Sequence, residues 1–195
     1  MRLMRTSEVT KRCVVTMAGE DVAQIRDLVF AAGGGAVAGF TLSGRGMFSG
    51  PSKQSLPWSA VAALGRDAVM IRDESVLEPA QRLLDASVSA GGSGGDVLQS
   101  QVLTDSGIDL GTVVDVVIAV DRSHAGRCDV VGYEIEASEA LGTKGTRMFV
   151  PLPDALAASG EHLIVPAVAQ DFVADDLAGF GAAVLAFRAQ LEGSR

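Results

Sequence analysis

The chain contains an internal repeat, and no other feature of the sequence constrains its fold as strongly. "TMAGEDVAQIRDLVF" (16–30) is followed 88 residues later by "TDSGIDLGTVVDVVI" (104–118). The identical pairs at this spacing are Val14 with Val102, Thr16 with Thr104, Gly19 with Gly107, Asp21 with Asp109, Asp27 with Asp115 and Val29 with Val117. Apolar residues meet apolar residues at most other positions. The two segments are therefore predicted to be copies of one fold unit.

Each unit is predicted to consist of short β-strands. Its segments are rich in Val, Ile and Leu and are bounded by Gly, Asp or Ser, which is typical of strands joined by tight turns. A short helical turn is predicted in "PWSAVAAL" (57–64), because its Pro does not fit a central strand. The strands predicted in the first unit are 13–16, 22–30, 36–42, 54–56 and 68–71. Five short strands without a long helix favour closure into a small barrel.

The second copy of the repeat resembles a known family. "VLTDSGIDLGTVVDVVIAVD" (102–121) is similar to the opening of the PRC-barrel family, a small β-barrel shared by the photosynthetic reaction-centre H subunit and a ribosome maturation factor. The matching positions are Gly107, Leu110, Gly111, Val113, Asp115 and Val116. The first unit departs at Ala23, which replaces the second glycine. The resemblance implies non-catalytic modules that bind proteins or scaffold an assembly, with no shared set of catalytic residues.

The predicted fold class is mainly β, with two tandem small PRC-type β-barrels. The first barrel is assigned to 1–75 and the second to 96–168. A short linker helix and a Gly/Ser joint occupy 76–95, where "GGSGG" indicates a flexible connection. A C-terminal amphipathic helix lies within 169–195, because apolar residues recur there at steps of three and four. Its apolar face is expected to dock on a barrel or on another chain.

Charge and targeting signals restrict the class of partner. The net charge is −8, with 16 basic and 24 acidic residues, so the chain offers no general attraction to nucleic acid or anionic lipid. The N-terminus lacks the apolar run of a secretory signal, and no segment is apolar enough to span a membrane. We therefore expect a cytoplasmic protein that binds another protein, without direct nucleic-acid contact, and self-association as a homodimer stays open. Both cysteines are expected to be free thiols.

The sequence contains no recognisable catalytic or metal-binding motif. Asp27 and Asp115 interrupt apolar strands; our main interpretation is that they bind backbone at a bulge or rim, and a pair of catalytic acids is the alternative. His124 and Cys128 are four residues apart, but two ligands do not make a structural zinc site. Phosphate-binding and nucleophile motifs are absent. The chain is thus predicted to be no enzyme, with no metal and no cofactor.

Two segments are candidates for a partner surface. The Gly/Ser-rich segment 43–53 contains Arg45, Met47 and Phe48, and the alternative is that this loop folds back over a barrel end. In the tail the candidates are Phe172, Leu177, Phe180, Val184 and Phe187. The predicted function is a non-enzymatic protein-binding or scaffold module. The alternatives are an RNA-processing or ribosome-maturation factor and a small-molecule binding protein that uses the groove between the barrels.

Overall fold

The computed structural model describes residues 1–31, 35–44, 50–87, 97–120, 126–142, 144–153, 157–158 and 162–193. The first set of strands is β1 (Arg2–Arg5), β2 (Cys13–Thr16), β3 (Asp21–Phe30), β4 (Val37–Ser43), β5 (Pro51–Pro57), β6 (Val61–Leu64), β7 (Ala68–Ile71) and β8 (Glu78–Pro79). The second set is β9 (Gln101–Thr104), β10 (Asp109–Val120), β11 (Cys128–Ala137), β12 (Arg147–Pro151), β13 (Ala157–Ala158) and β14 (His162–Val165). The α-helices are α1 (Ala80–Ser87) and α2 (Leu177–Gly193).

The strands form two seven-stranded sheets in which six strands follow the same order. The first has the order β6-β7-β2-β3-β4-β5-β8, and the second has the order β12-β11-β10-β9-β14-β13, with β1 added to β10. In each sheet one pair is parallel, β2 with β7 and β9 with β14, and the other pairs are antiparallel. The two sheets form a half-barrel. The mainly β class with two tandem units and a C-terminal helix is therefore confirmed.

Backbone details also repeat between the units. Lys11 and Gln99 are the non-glycine residues with positive φ among those described, at 69° and 70°. The Lys11 N–H donates to the Ile25 carbonyl at 2.7 Å, and the Gln99 N–H makes the matching bond to Val113 at 2.9 Å. Because such strained positions recur at the same places, the repeat extends to the conformation of individual residues.

The hairpin turns follow the predicted glycines. Gly19 and Gly107 have φ values of +88° and +83°, and each N–H donates to the threonine carbonyl three residues earlier at 2.9 Å. A side chain is unfavourable at these φ values, which explains why the repeat keeps glycine at both turns.

The predicted helical turn at 57–64 is only half right. A 3₁₀ turn spans Trp58–Ala60, but the chain then extends into β6, which pairs antiparallel with β7. Val61 is buried, and its pairing with Ile71 outweighs the helical tendency of the alanines that follow.

The tail helix begins later than the sequence pattern suggests. A 3₁₀ turn spans Ala167–Phe172, and Ala174 then pairs with Phe149 of β12 through two backbone bonds of 2.8 and 3.0 Å. Asp176 caps the helix, since its carboxylate accepts the Gly179 N–H at 2.6 Å. The short pairing with β12 therefore separates α2 from the preceding turn.

Two apolar clusters hold the molecule together. The larger runs through both units and contains, for example, Val14 and Val102, each fully buried. The smaller lies between the outer face of the second sheet and α2. Its buried members are Val117, Ala119, Val131, Phe149, Phe180 and Val184. The helix thus covers a sheet face that would otherwise expose valine and phenylalanine side chains to water.

Each unit uses a glycine on its central hairpin to receive a helix side chain. A Cβ at Gly132 would collide with the Phe180 ring and with the Val150 carbonyl oxygen. A Cβ at Gly39 would meet Leu83 of α1 at 3.1 Å, together with the Leu56 carbonyl. Glycine is required here for close approach of a helix and a neighbouring strand.

Replacing Gly132 by alanine is expected to lower the free energy of unfolding by about 1–3 kcal/mol, because the added methyl must displace the Phe180 ring or the β12 backbone. Denaturant unfolding followed by circular dichroism measures the change. Gly50→Ala is the control, since no atom lies within 4 Å of the position that its methyl group would take. Equal stability of Gly132→Ala and the wild type would show that α2 is not seated on this glycine.

Candidate functional site

The N-terminal strand belongs to the second sheet. β1 pairs antiparallel with the end of β10, from Arg2 opposite Val120 to Arg5 opposite Val117. The Met4 side chain is almost fully buried in the main core, and Leu3 packs under α2. This strand is not evident from the sequence, because Leu3 and Met4 are adjacent and lie between two arginines, without the alternation of a typical strand. The first residues of the chain therefore join the two units.

A buried carboxylate fixes this crossover. Asp115 is 7% exposed and accepts hydrogen bonds from the Thr6 hydroxyl at 2.7 Å, the Ser7 N–H at 3.3 Å and the Ser7 hydroxyl. It also accepts the Val116 N–H at 2.8 Å, beside the β-bulge between Val113 and Asp115. Four donors surround one charge, which offsets the cost of removing it from water.

The equivalent Asp27 also accepts the N–H of the next residue, Leu28, at 2.8 Å beside a bulge. Our interpretation that these aspartates bind backbone at bulges is thus confirmed. Asp115 in addition holds the N-terminal segment, a role that the repeat alone does not reveal.

An ion pair lies next to the Asp115 cluster. The Arg5 guanidinium donates to both oxygens of Glu134, which is 8% exposed, and also contacts Glu8. The Cζ atom of Arg5 lies 5.1 Å from the centre of the Phe149 ring. The hydrogen bond to Glu134 raises the pKa of Arg5 above its ordinary value, so the guanidinium keeps its charge. Arg5 thereby links β1 to β11 and β12.

The two units also meet around a pseudo-two-fold axis. Ala36 forms an antiparallel bridge with Asp129, and Val130 N–H donates to the Gly35 carbonyl at 2.6 Å. Ala36 and Asp129 lie three residues before the equivalent Gly39 and Gly132, so a residue pairs with its own counterpart, as in an isologous dimer interface. The indole N–H of Trp58 donates to Gly126 at 2.7 Å across the same contact.

Both cysteines and Tyr133 have pKa values above their ordinary ones. Burial raises the pKa of the Cys128 thiol to about 12, and Asp129 adds to the shift. Burial also raises the pKa of Cys13, with a contribution from Asp21, and that of Tyr133. Both cysteines are free thiols, as predicted. Among the residues that the structure describes, no three His, Cys, Asp or Glu side chains cluster in a way that could hold a metal.

The predicted partner surface separates into three parts. Arg45, Met47 and Phe48 lie outside the described residues, as does His124 of the proposed ligand pair. Phe172 and Leu177 are partly buried, with the Phe172 ring 5.7 Å from that of Phe187. Phe180, Val184 and Phe187 are 0% exposed.

The burial of these three side chains shows where α2 docks. The apolar face of α2 packs on the second unit of its own chain, so Phe180, Val184 and Phe187 present no surface to a partner while the helix is in place. Their spacing predicted the helix, but spacing alone does not distinguish a face buried within the chain from one that awaits a partner.

The opposite side of α2 forms an apolar groove with the start of the chain. This groove, of about 680 Å³, is lined by Met1, Leu3, Leu177, Gly181, Ala182 and Leu185. Leu185 is 62% exposed and Met1 53%, which is unusual for large apolar side chains on one surface. No charged residue occurs between Leu177 and Phe187. This face is not evident from the sequence, because alanine and glycine add little to an apolar pattern.

A second, polar depression of about 350 Å³ lies on the second unit alone, between β10 and β11. Its acids, Asp109 and Glu136, stand beside the cations Lys144 and Arg147. Asp109 already accepts the Gly111 N–H at 2.9 Å, and its carbonyl accepts the Ser138 hydroxyl. Mixed charge and bonded polar groups give this depression no preference for a ligand of either sign.

The architecture is a pair of sheets with matching strand order, each contacted by one α-helix. The family model of the PRC-barrel domain matches residues 1–77, which include the strands of the first unit up to β7. The second unit repeats its strand order, bulges and turns. A search among curated proteins finds no match. Neither described helix has the length and apolar character needed to cross a bilayer.

Removing the Asp115 carboxylate is expected to release β1. Asp115→Ala leaves the Thr6 and Ser7 donors without their acceptor, and we expect a loss of about 1–3 kcal/mol in unfolding free energy. Hydrogen exchange should show faster exchange at the β1 amides. Asp73→Ala is the control, because Asp73 bonds Ser75 within an exposed turn far from β1 in the sequence. Unchanged protection of β1 in Asp115→Ala would contradict this role.

Cys128 is expected to resist alkylation by iodoacetamide at pH 8 in the native protein and to react at an ordinary rate in denaturant. Its folded-state pKa, about 12, lies above the ordinary 9.0, so the unfolded chain loses the proton first and stability falls as pH rises between these values. Cys128→Ala should make that alkaline decline shallower. Rapid native-state labelling of Cys128, identified by peptide mass, would refute the buried assignment.

Proposed function

We propose that this chain is a non-enzymatic protein-binding scaffold and that a protein partner docks in the groove between the N-terminus and α2. The observation that carries the proposal is the contrast between two surfaces. Polar side chains at the junction of the units are bonded to one another, whereas large apolar side chains in the groove are exposed. Such a distribution is typical of a rigid module with a docking surface.

The hydrogen-bonded cluster of Asp115, Glu134 and the 5–7 segment supports a structural rather than a catalytic role. Asp115 is occupied by four donors and Glu134 by Arg5, so neither carboxylate has an oxygen free of such contacts to take a substrate proton without breaking the junction. A general base must reach its substrate proton by a hydrogen bond. The same bonds hold both units in a fixed relation, which suits a scaffold.

The groove supports a protein partner. Covering Leu185 and Met1 removes two large apolar side chains from water, which is worth about 1.5–3 kcal/mol for each one fully buried. The surrounding chain carries a net charge of −8, which disfavours a phosphate backbone. An uncharged apolar surface on an acidic protein is better matched by another apolar protein surface than by RNA.

The test is affinity capture from native lysate with a C-terminal tag, since Met1 lines the groove. Wild type, Leu185→Glu and Met17→Glu are compared by quantitative mass spectrometry. Met17 is the matched control, because it is 61% exposed, close to the 62% of Leu185, and lies in the β2–β3 turn. We expect a protein that is recovered with wild type and Met17→Glu and lost with Leu185→Glu.

Recovery of the same proteins with all three baits would show that the groove is not the docking surface. Recovery of RNA in stoichiometric amount, measured by absorbance of the eluate, would favour a nucleic-acid-binding function instead.

A further inference from the structure

We propose that the first unit carries a binding site for a phosphate group at the turn between β6 and β7, held by the guanidinium groups of Arg2 and Arg12. This site goes beyond the proposed docking function and does not depend on it. Neighbouring residues of a strand point to opposite sides, and Met1 and Leu3 line the groove, so Arg2 points away from the groove.

Arg12 is a buried cation without a carboxylate partner. It is 8% exposed, its Nε donates to the Glu8 carbonyl at 2.6 Å, and its Nη1 donates to the Gly65 carbonyl. No carboxylate among the described residues forms an ion pair with it. Its second amino group, Nη2, makes no hydrogen bond within the described part of the chain and is not fully enclosed by it. Because buried charges are normally paired, this guanidinium is a candidate for binding an anion.

A second guanidinium lies beside the first. The exposed Arg2 side chain reaches the Leu64 carbonyl at 3.5 Å, and Leu64 directly precedes the glycine whose carbonyl Arg12 binds. Burial lowers the pKa of Arg12, and the nearby positive charge of Arg2 lowers it further. Two like charges are thus held close together by neighbouring carbonyl groups of one turn, on either side of which an anion would be attracted by both.

Two carboxylates lie near this pair, but each is engaged by another arginine. Glu8 and Asp67 both favour the charged form of Arg12. Glu8 is contacted by Arg5 at 3.4 Å, and Asp67 is contacted by the Nε of Arg66 at 3.3 Å. The pair of guanidinium groups at the turn is therefore not neutralised by direct contact with an acid.

The repeat indicates that the fold does not require these cations. Ser100 is the counterpart of Arg12, 88 residues later, and it is equally buried at 5% exposed. The backbone is bonded alike at both positions, since each N–H donates to the valine carbonyl three residues earlier at 3.2 Å. The counterpart of Arg2 in the sequence is Ala90. The cationic pair is thus particular to the first unit, which favours a role other than folding.

A phosphate group matches the pair in shape and in charge. A guanidinium presents its N–H donors in a planar fork that fits the oxygens of a phosphate. A phosphate monoester carries about −1.5 to −2 charges at pH 7 and neutralises both cations, whereas a carboxylate neutralises only one. The net charge of −8 repels anions at long range, but within the Debye length of about 8 Å the local cations dominate.

Titration of the full chain with sodium phosphate at pH 7, followed by ¹H–¹⁵N NMR at an ionic strength held constant with sodium chloride, tests the proposal. We expect saturable shifts at the amides of Arg12 and of residues 64–66, with a dissociation constant of about 0.1–10 mM. Arg2→Gln and Arg12→Ser should each weaken binding about tenfold or more, because each removes a charge-assisted interaction with the phosphate.

Arg72→Gln is the matched control. It removes the same charge from an exposed side chain that contacts Asp73 at 3.6 Å, at the other end of β7, and it should bind phosphate as the wild type does. Arg12→Ser introduces the residue that the second unit has at this position. Because Arg2 is exposed, Arg2→Gln is expected to keep the wild-type melting temperature, measured without phosphate, and so separates loss of binding from loss of folding.

O-phosphoserine is titrated in parallel to distinguish the sources of the phosphate group. Tighter binding of O-phosphoserine than of inorganic phosphate would support a phosphorylated side chain of a protein as the ligand, and equal binding would support free phosphate.

The absence of a saturable response to either phosphate compound would overturn the proposal, as would an equal response to sodium acetate. Phosphate affinity that is unchanged in both Arg2→Gln and Arg12→Ser would show that the anion binds elsewhere. None of these results bears on the groove, which is tested separately by Leu185→Glu.

Discussion

The arrangement of the two units depends on the contact between Asp115 and the Thr6–Ser7 segment. Without it, β1 would be held on β10 by four residues of strand pairing, the burial of Met4 and the ion pair of Arg5 with Glu134. The buried carboxylate converts that short pairing into a fixed join, and Arg5 extends the join to Glu134. β1 also forms one wall of the groove. The hydrogen bonds of Asp115 to Thr6 and Ser7 therefore help to fix the shape of the proposed docking surface.

Because of the repeat, the two units of one chain contact each other as two subunits of a homodimer would. Equivalent residues pair across the pseudo-two-fold axis at Ala36 and Asp129, and equivalent glycines accept a helix side chain in each unit. The units differ at their edges, where β8 extends only the first sheet, β1 extends only the second, and the long α2 follows the second unit. Symmetry therefore accounts for the joined core, and departures from symmetry account for the surface available to others.

Most strands of the two sheets could be predicted from the sequence, because each is a short apolar segment bounded by turn residues. The predicted bounds of β2 and β7 coincide with the observed ones, and Gly19 and Gly107 mark the turns at the ends of β2 and β9. β1 and β6 were missed because each is stabilised by a partner strand rather than by its own residues. The tail residues were identified as apolar, but which face of α2 is buried depends on Gly132 and its neighbours, 48 residues earlier than Phe180.

The crossover of β1 imposes an order on synthesis. Thr6 leaves the ribosome 109 residues before its partner Asp115, an interval of roughly 5–20 s at ordinary elongation rates. During that time the first unit is complete in sequence while its leading strand has no sheet to join. Until residues 117–120 of β10 have been made, Leu3 and Met4 lack the strand with which they pair, so β1 joins its sheet only once synthesis has reached the second unit.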